Sequence, residues 1–203
     1  MLQVHLLGHL RVLMNDEPWP FHSRPKALPL WAYLLLHHDH PLSRDQIAFA
    51  LWPDTSEGEA RANLRRHLHH LQNALPAAPQ PWLLATARTI QWNPNAAYWL
   101  DVAAFEQLCH DEAAPGAAVA LYTGDLLERL DEEWLLPERE RLRVLYQASL
   151  LRHTRACQAT RAYGAAITSA QRMVRHDPLH EDAQRLLMTL HYESGDRAGG
   201  LAA

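Results

Sequence analysis

The chain has 203 residues and a mass of 23.1 kDa, enough for one large or two small domains that bury a core without disulfides. An apolar fraction of 48% with 21% charged residues argues against wholesale disorder; the longest apolar run, Leu28–Leu36, is too short to span a bilayer, and with two cysteines and no secretory signal a reducing cytoplasm is the expected compartment. The net charge of −4 is uneven, with residues 1–100 near +1 and carrying nine of fourteen histidines while residues 101–203 sit near −5, which predicts two modules with different partners.

In chain order, Gln3–Leu7 and Leu10–Met14 read as strands around Gly8, closed by a turn at Asn15-Asp16-Glu17-Pro18. Ser23 is placed to cap a helix opening at Arg24-Pro25, with Leu28, Trp31, Leu34 and Leu35 at helical spacing and Pro29 weakening its start. Ser43-Arg44-Asp45-Gln46 reads as a capping box ahead of a helix burying Ile47, Ala50 and Leu51. Asp54–Gly58 reads as a polar loop.

Glu59–Leu75 carries the clearest periodicity. Leu64, Leu68, Leu71 and Leu75 form one stripe, and Arg61, Arg65, Arg66, His69 and Asn73 lie off it. Prolines at 76, 79 and 81 end the helix. Trp82–Ala85 and Thr89–Trp92 predict a β-hairpin with Arg88 at its tip. Strands, three helices and a hairpin follow the order of a winged helix-turn-helix.

From Asp101 onward the pattern is purely helical: Val102–Cys109 capped by Asp101, a short apolar segment Ala117–Tyr122, a helix opened by Pro137, then Gly164–His176 and His180–Tyr192, with a further turn starting at Gly195-Asp196. Tyr163–Ile167 shifted by 34 positions falls on Arg197–Leu201, the tetratricopeptide period. Such an array stopping inside a repeat leaves an apolar face, so the chain is expected to be a piece of a longer protein. The fold class expected is an α+β winged helix-turn-helix domain, residues 1–97, followed by an all-α tetratricopeptide-like domain, residues 98–203.

Three blocks, Pro41–Ile47, Ala50–Asp54 and Ala60–Arg66, resemble the DNA-binding domain of the Streptomyces-antibiotic-regulatory-protein (SARP) type of bacterial activator. Trp99–Val102 with Phe105, Leu121–Leu127 and Trp134–Arg141 resemble the bacterial transcriptional activation domain that follows it. The resemblance implies a response-regulator-type winged helix, a tetratricopeptide-like module, promoter binding and recruitment of RNA polymerase. It also nominates Asp54, Glu57 and Glu59, in and beside the loop 52–59, for polymerase contact. Members usually continue through another helical pair, and larger relatives carry an ATPase segment; this chain has no phosphate loop.

The arginine face supplies the chemistry expected of a recognition helix. Guanidinium groups pair with guanine O6 and N7 or clamp phosphates, which nominates Arg61, Arg65 and Arg66, with His69 and Asn73 able to read an edge. Arg88 suits a minor-groove or phosphate contact, and Arg44 a phosphate at a helix start; a surface ion pair of Arg44 with Asp45 or Asp39 is the competing reading. The clusters His37-His38-x-His40 and His67-x-His69-His70 lack cysteine and offer one pair at a good ligand spacing. No nucleophile–base pair stands out. No metal site, cofactor or catalysis is therefore expected.

The function expected is sequence-specific transcriptional regulation, with double-stranded promoter DNA and RNA polymerase as partners. The acidic second half would self-associate or dock a downstream effector segment. The competing reading is a tetratricopeptide-like interaction scaffold without DNA binding.

Overall fold

A computed structural model describes residues 1–22, 26–111 and 114–196. In chain order it places β1 (Leu2–His5), β2 (Arg11–Met14), β3 (Glu17–Pro18), α1 (Ala27–Leu36), β4 (Leu42–Ser43), α2 (Arg44–Leu51), α3 (Glu57–Ala74), β5 (Leu83–Ala85), β6 (Thr89–Trp92), β7 (Tyr98–Leu100), α4 (Asp101–Cys109), α5 (Pro115–Leu121), α6 (Leu135–Ala159), α7 (Tyr163–His176) and α8 (Glu181–Glu193). The chain divides into two units. The first holds Met1–Ala104 and Leu126–Glu138, and the second holds Phe105–Asp125 with residues from Arg139 onward.

The first unit mixes strands and helices. β1 and β2 pair antiparallel, with Leu2 opposite Met14 and Val4 opposite Val12. Asn15 and Asp16 turn the chain with φ of 51° and 66°, a left-handed conformation that these side chains tolerate. The turn is therefore tighter than expected from the sequence: Glu17–Pro18 is already strand, paired to Leu13 and Met14. β7 adds in parallel beside β1, giving the order β3-β2-β1-β7.

α1 starts after Lys26 with no side-chain cap. The expected cap at Ser23 and opening at Arg24-Pro25 lie outside the described residues. Pro29 falls in the first turn, where no amide hydrogen is needed, so the helix runs on uninterrupted and buries Leu30, Trp31, Leu34 and Leu35 completely. Trp31 meets Phe21, stacked at 4.5 Å, and Trp92 at 6.1 Å; Trp92 stacks on Trp82 at 5.6 Å. This aromatic cluster carries large apolar area into the core.

Asp101 opens α4 almost fully buried, 2% exposed. Its carboxylate accepts from the amides of Leu6 and Leu7, both at 2.9 Å, and from Val102 at 2.8 Å. Burial pushes its pKa up against these three bonds. The segment 126–134 is not helical, unlike the all-helical expectation. It straps onto the first unit: Leu127 donates to the Leu6 carbonyl and Glu128 to that of Gly8. Lys26 Nζ bonds both oxygens of Glu132 at 2.8 and 2.9 Å, and Trp134 packs edge-on against Tyr33.

The second unit is helical. α6 begins at Leu135 rather than at Pro137, which sits in its first turn. Tyr122 stacks on Tyr146 at 4.2 Å and bonds Asp125, which also binds Arg143. α7 and α8 close over Ala166, Ala170, Leu187 and Leu190. Gly195, at φ +82°, ends α8: its amide bonds the Tyr192 carbonyl and the Asp196 amide that of His191, the paired bonds of a Schellman stop. Gly195-Asp196 thus terminates a helix instead of starting a turn. The shifted repeat at 197–201 lies outside the described residues.

Candidate nucleic-acid interface

α3 sets the geometry. Ser56 Oγ accepts from the Glu59 amide, while Glu59 returns a bond to the Ser56 amide at 3.1 Å and one to its hydroxyl at 2.7 Å. This reciprocal cap starts the helix at Glu57, two residues ahead of expectation. The Ser43 cap is half of a box: Ser43 Oγ accepts from the Gln46 amide at 3.1 Å, but the Gln46 side chain bonds Tyr33. α2 buries Ile47, Ala48 and Leu51, with Ala50 only half-buried.

The leucine stripe Leu64, Leu68, Leu71 and Leu75 is buried throughout. With that face inward, Arg61, Arg65, His69 and Gln72 follow at spacings of four, four and three and form an outer row. The row lines an open groove of about 800 Å³, completed by Ser43, Arg44 and Asp45 and by Ala87 and Arg88 at the hairpin tip. Three separate elements therefore bring Arg44, Arg61, Arg65, Arg88 and His69 together.

The hairpin is held from both sides. Leu83 pairs with Trp92 and Ala85 with Ile90, and β4 adds to the other edge of β6. Thr86 Oγ1 accepts from the amides of Arg88 and Thr89 and so fixes the turn. Arg44 ties the helix start to that turn, its amide bonding the Arg88 carbonyl and its Nε the Thr86 carbonyl, both at 2.9 Å. Neither expected ion pair of Arg44 forms: Asp45 takes Arg61 and Asp39 takes His40.

The arginines differ in their surroundings. Arg61 bonds Asp45 through two nitrogens, at 2.7 and 3.1 Å, and lies 3.6 Å from Glu57. Arg61 holds the Asp45 carboxyl below the usual range. The side chains of Arg65, Arg66 and Arg88 have no partner among the described residues. Arg66 is exposed but outside the groove, as is Asn73, whose Nδ2 donates to His69 Nε2 at 3.1 Å.

The three nominated carboxylates are placed differently. Asp54 is exposed in the loop. Glu57 faces Arg61, and Glu59 serves the Ser56 cap. Asp45 is the groove residue absent from the sequence-based set. Its one signal is position, in the first turn of a capped helix, and its partner is fixed only when α2 packs on α3.

Among the described residues, no three His, Cys, Asp or Glu side chains gather as a metal site. His67 Nδ1 contacts the Asn63 carbonyl. Cys109 is buried beside the Ser149 hydroxyl, and burial pushes its thiol up. Among the same residues, no helix is long and apolar enough to cross a membrane.

No curated protein matches this chain. The solved structure "Mycobacterium tuberculosis EmbR in complex with low affinity phosphopeptide" is similar over 99% of it, with a TM-score of 0.76 and 22% identity. At that identity the likeness is one of fold. The chain spans 57% of the length of that protein's chain. Residues 100–203, just over half the chain, match the family model of the bacterial transcriptional activator domain. The chain therefore belongs to the bacterial transcriptional activator domain family of SARP-type regulators.

Proposed function

We propose that the protein is a sequence-specific DNA-binding transcriptional regulator that activates by recruiting RNA polymerase. In this reading residues 1–97 form a winged helix-turn-helix domain. α3 is its recognition helix in the major groove, and the β5–β6 hairpin is the wing. Residues 98–203 form a tetratricopeptide-like module for self-association, polymerase contact or docking of an effector segment. Asp54, Glu57 and Glu59 offer carboxylates to a basic polymerase surface. The protein acts in the cytoplasm.

The observation that carries the reading is the groove itself. Four arginines from α2, α3 and the hairpin converge on one open concavity. Three of them, Arg44, Arg65 and Arg88, have no carboxylate bonded to them. A concentration of fixed cations on a protein of net charge −4 suits a polyanion whose grooves admit a helix.

The test is a gel shift with promoter fragments at low and physiological salt. The expected result is a fragment-dependent shift that weakens with salt and is lost in Arg65→Ala/Arg88→Ala protein of unchanged circular dichroism. Absence of a shift for every fragment at low salt refutes the reading.

A further inference from the structure

Among the described residues lining the arginine groove, Asp45 is the one carboxylate. Its Oδ1 accepts from Arg61 Nε and its Oδ2 from Nη2, the paired geometry of a fork on a carboxylate. Asp45 lies in the first turn of α2, where the helix dipole favours a negative charge, behind the Ser43 cap. The carboxylate is thus anchored by its own helix.

The pair occupies one edge of the guanidinium, Nε with one Nη2 hydrogen. A guanidinium has five such donors, so the Nη1 and second Nη2 hydrogens remain on the end edge. Glu57 Oε1 lies 3.6 Å from Nη2, outside hydrogen-bond range; it contributes charge without taking a donor.

Charge then decides what that end edge can meet. Arg61, Asp45 and Glu57 together carry −1, which disfavours a phosphate. Guanine O6 and N7 are neutral acceptors spaced for an arginine pair. Arg61 is the fifth residue of α3, in the half of such a helix that meets base edges. Arg65 and Arg88, without carboxylates, suit the backbone instead.

Resting on the DNA-binding reading, we propose that Asp45 is a positioning residue: it holds Arg61 by its side edge so that the end edge reads a guanine in the major groove. Holding the long side chain removes rotamer freedom before DNA arrives. The same carboxylate repels phosphate, so Arg61 contributes to sequence preference and not to general affinity.

The experiment is selection of bound duplexes by the full chain from a library with a random 20-base-pair core, read by sequencing. Wild-type protein is expected to enrich a motif with a fixed guanine. Arg61→Lys and Asp45→Asn should each lose preference at that one base pair, by on the order of tenfold, with the other positions unchanged. Combining them should add no further loss there. Asp45→Asn should also bind random duplex more tightly, because a negative charge leaves the groove. Arg65→Ala should keep the guanine and lose overall affinity. Thermal melts of the variants, matching wild type, show that folding is intact. A motif unaltered in both Arg61→Lys and Asp45→Asn overturns the proposal, even if Asp45→Asn tightens binding to every duplex alike. Wild-type protein that enriches no sequence overturns the DNA-binding reading, and this inference with it.

Discussion

The salt dependence of DNA binding follows from which arginines lack a carboxylate partner. Five sit on or beside the groove, but Arg61 is neutralised by Asp45 and Glu57. Arg44, Arg65, Arg66 and Arg88 remain, about four cations for phosphate oxygens. Each phosphate neutralised contributes about −0.9 to the slope of log K against log salt, so the slope expected is about −3.6. Between roughly 50 and 200 mM salt the affinity should fall by about 150-fold. Fluorescence anisotropy with a labelled 24-base-pair duplex at five salt concentrations measures it. Arg65→Ala and Arg88→Ala should each flatten the slope by about 0.9, and Arg61→Ala should leave it almost unchanged. A slope near zero, or an Arg61→Ala variant that flattens it as much as Arg65→Ala, would refute the division of roles between the arginines.

Three further outcomes test the fold around the groove. Leu71→Ala empties a fully buried position on α3 and should cost about 2–5 kcal/mol; Arg65→Ala on the outer face should stay within about 0.5 kcal/mol. Urea unfolding by tryptophan fluorescence reads both, since all seven tryptophans lie in the first unit. Ser56→Ala removes the start of α3 and should cost about 1 kcal/mol by the same assay; an unchanged midpoint would mean that the cap bears no load. In the second unit, the Arg143 hydrogen bond holds Asp125 below the usual carboxylate range. A depressed folded-state pKa gives stability that is full above the unfolded value, about 3.9, and is lost as pH falls through the folded one. Urea midpoints followed by far-ultraviolet circular dichroism should therefore drop below about pH 4 in wild type, with a smaller drop in Asp125→Asn.

Local pattern carried much of this architecture. The spacing of Leu64, Leu68, Leu71 and Leu75 gave the buried face of α3, and so the outward row of Arg61, Arg65 and His69. Alternation and the Thr86–Arg88 break gave the second hairpin. Pairing across long stretches of chain was not legible: β7 joins β1 over more than ninety residues, and no local cue marks Tyr98–Leu100 as an edge strand. The cap at Ser56–Glu59 was written in the sequence as Ser-x-x-Glu, yet the glycine at 58 reads equally well as loop. The Asp45–Arg61 pair depends on how two helices cross; from sequence, Arg44 beside Asp45 was the nearer partner.

The strap at 126–138 bears on how such proteins exchange parts. Genes for regulators can recombine so that one DNA-reading module is joined to another helical module. A junction at residue 97 would carry away β7, the Asp101 acceptor for Leu6 and Leu7, and Glu132, the partner of Lys26. The transplanted piece would expose a sheet edge and strand two buried amides, each worth about 1–3 kcal/mol. A hybrid keeps these contacts only if residues 98–104 and 126–138 come from the same parent as residues 1–97. The heritable unit is discontinuous in the gene, and compatibility between parents is decided by a short stretch lying inside the neighbouring module's sequence.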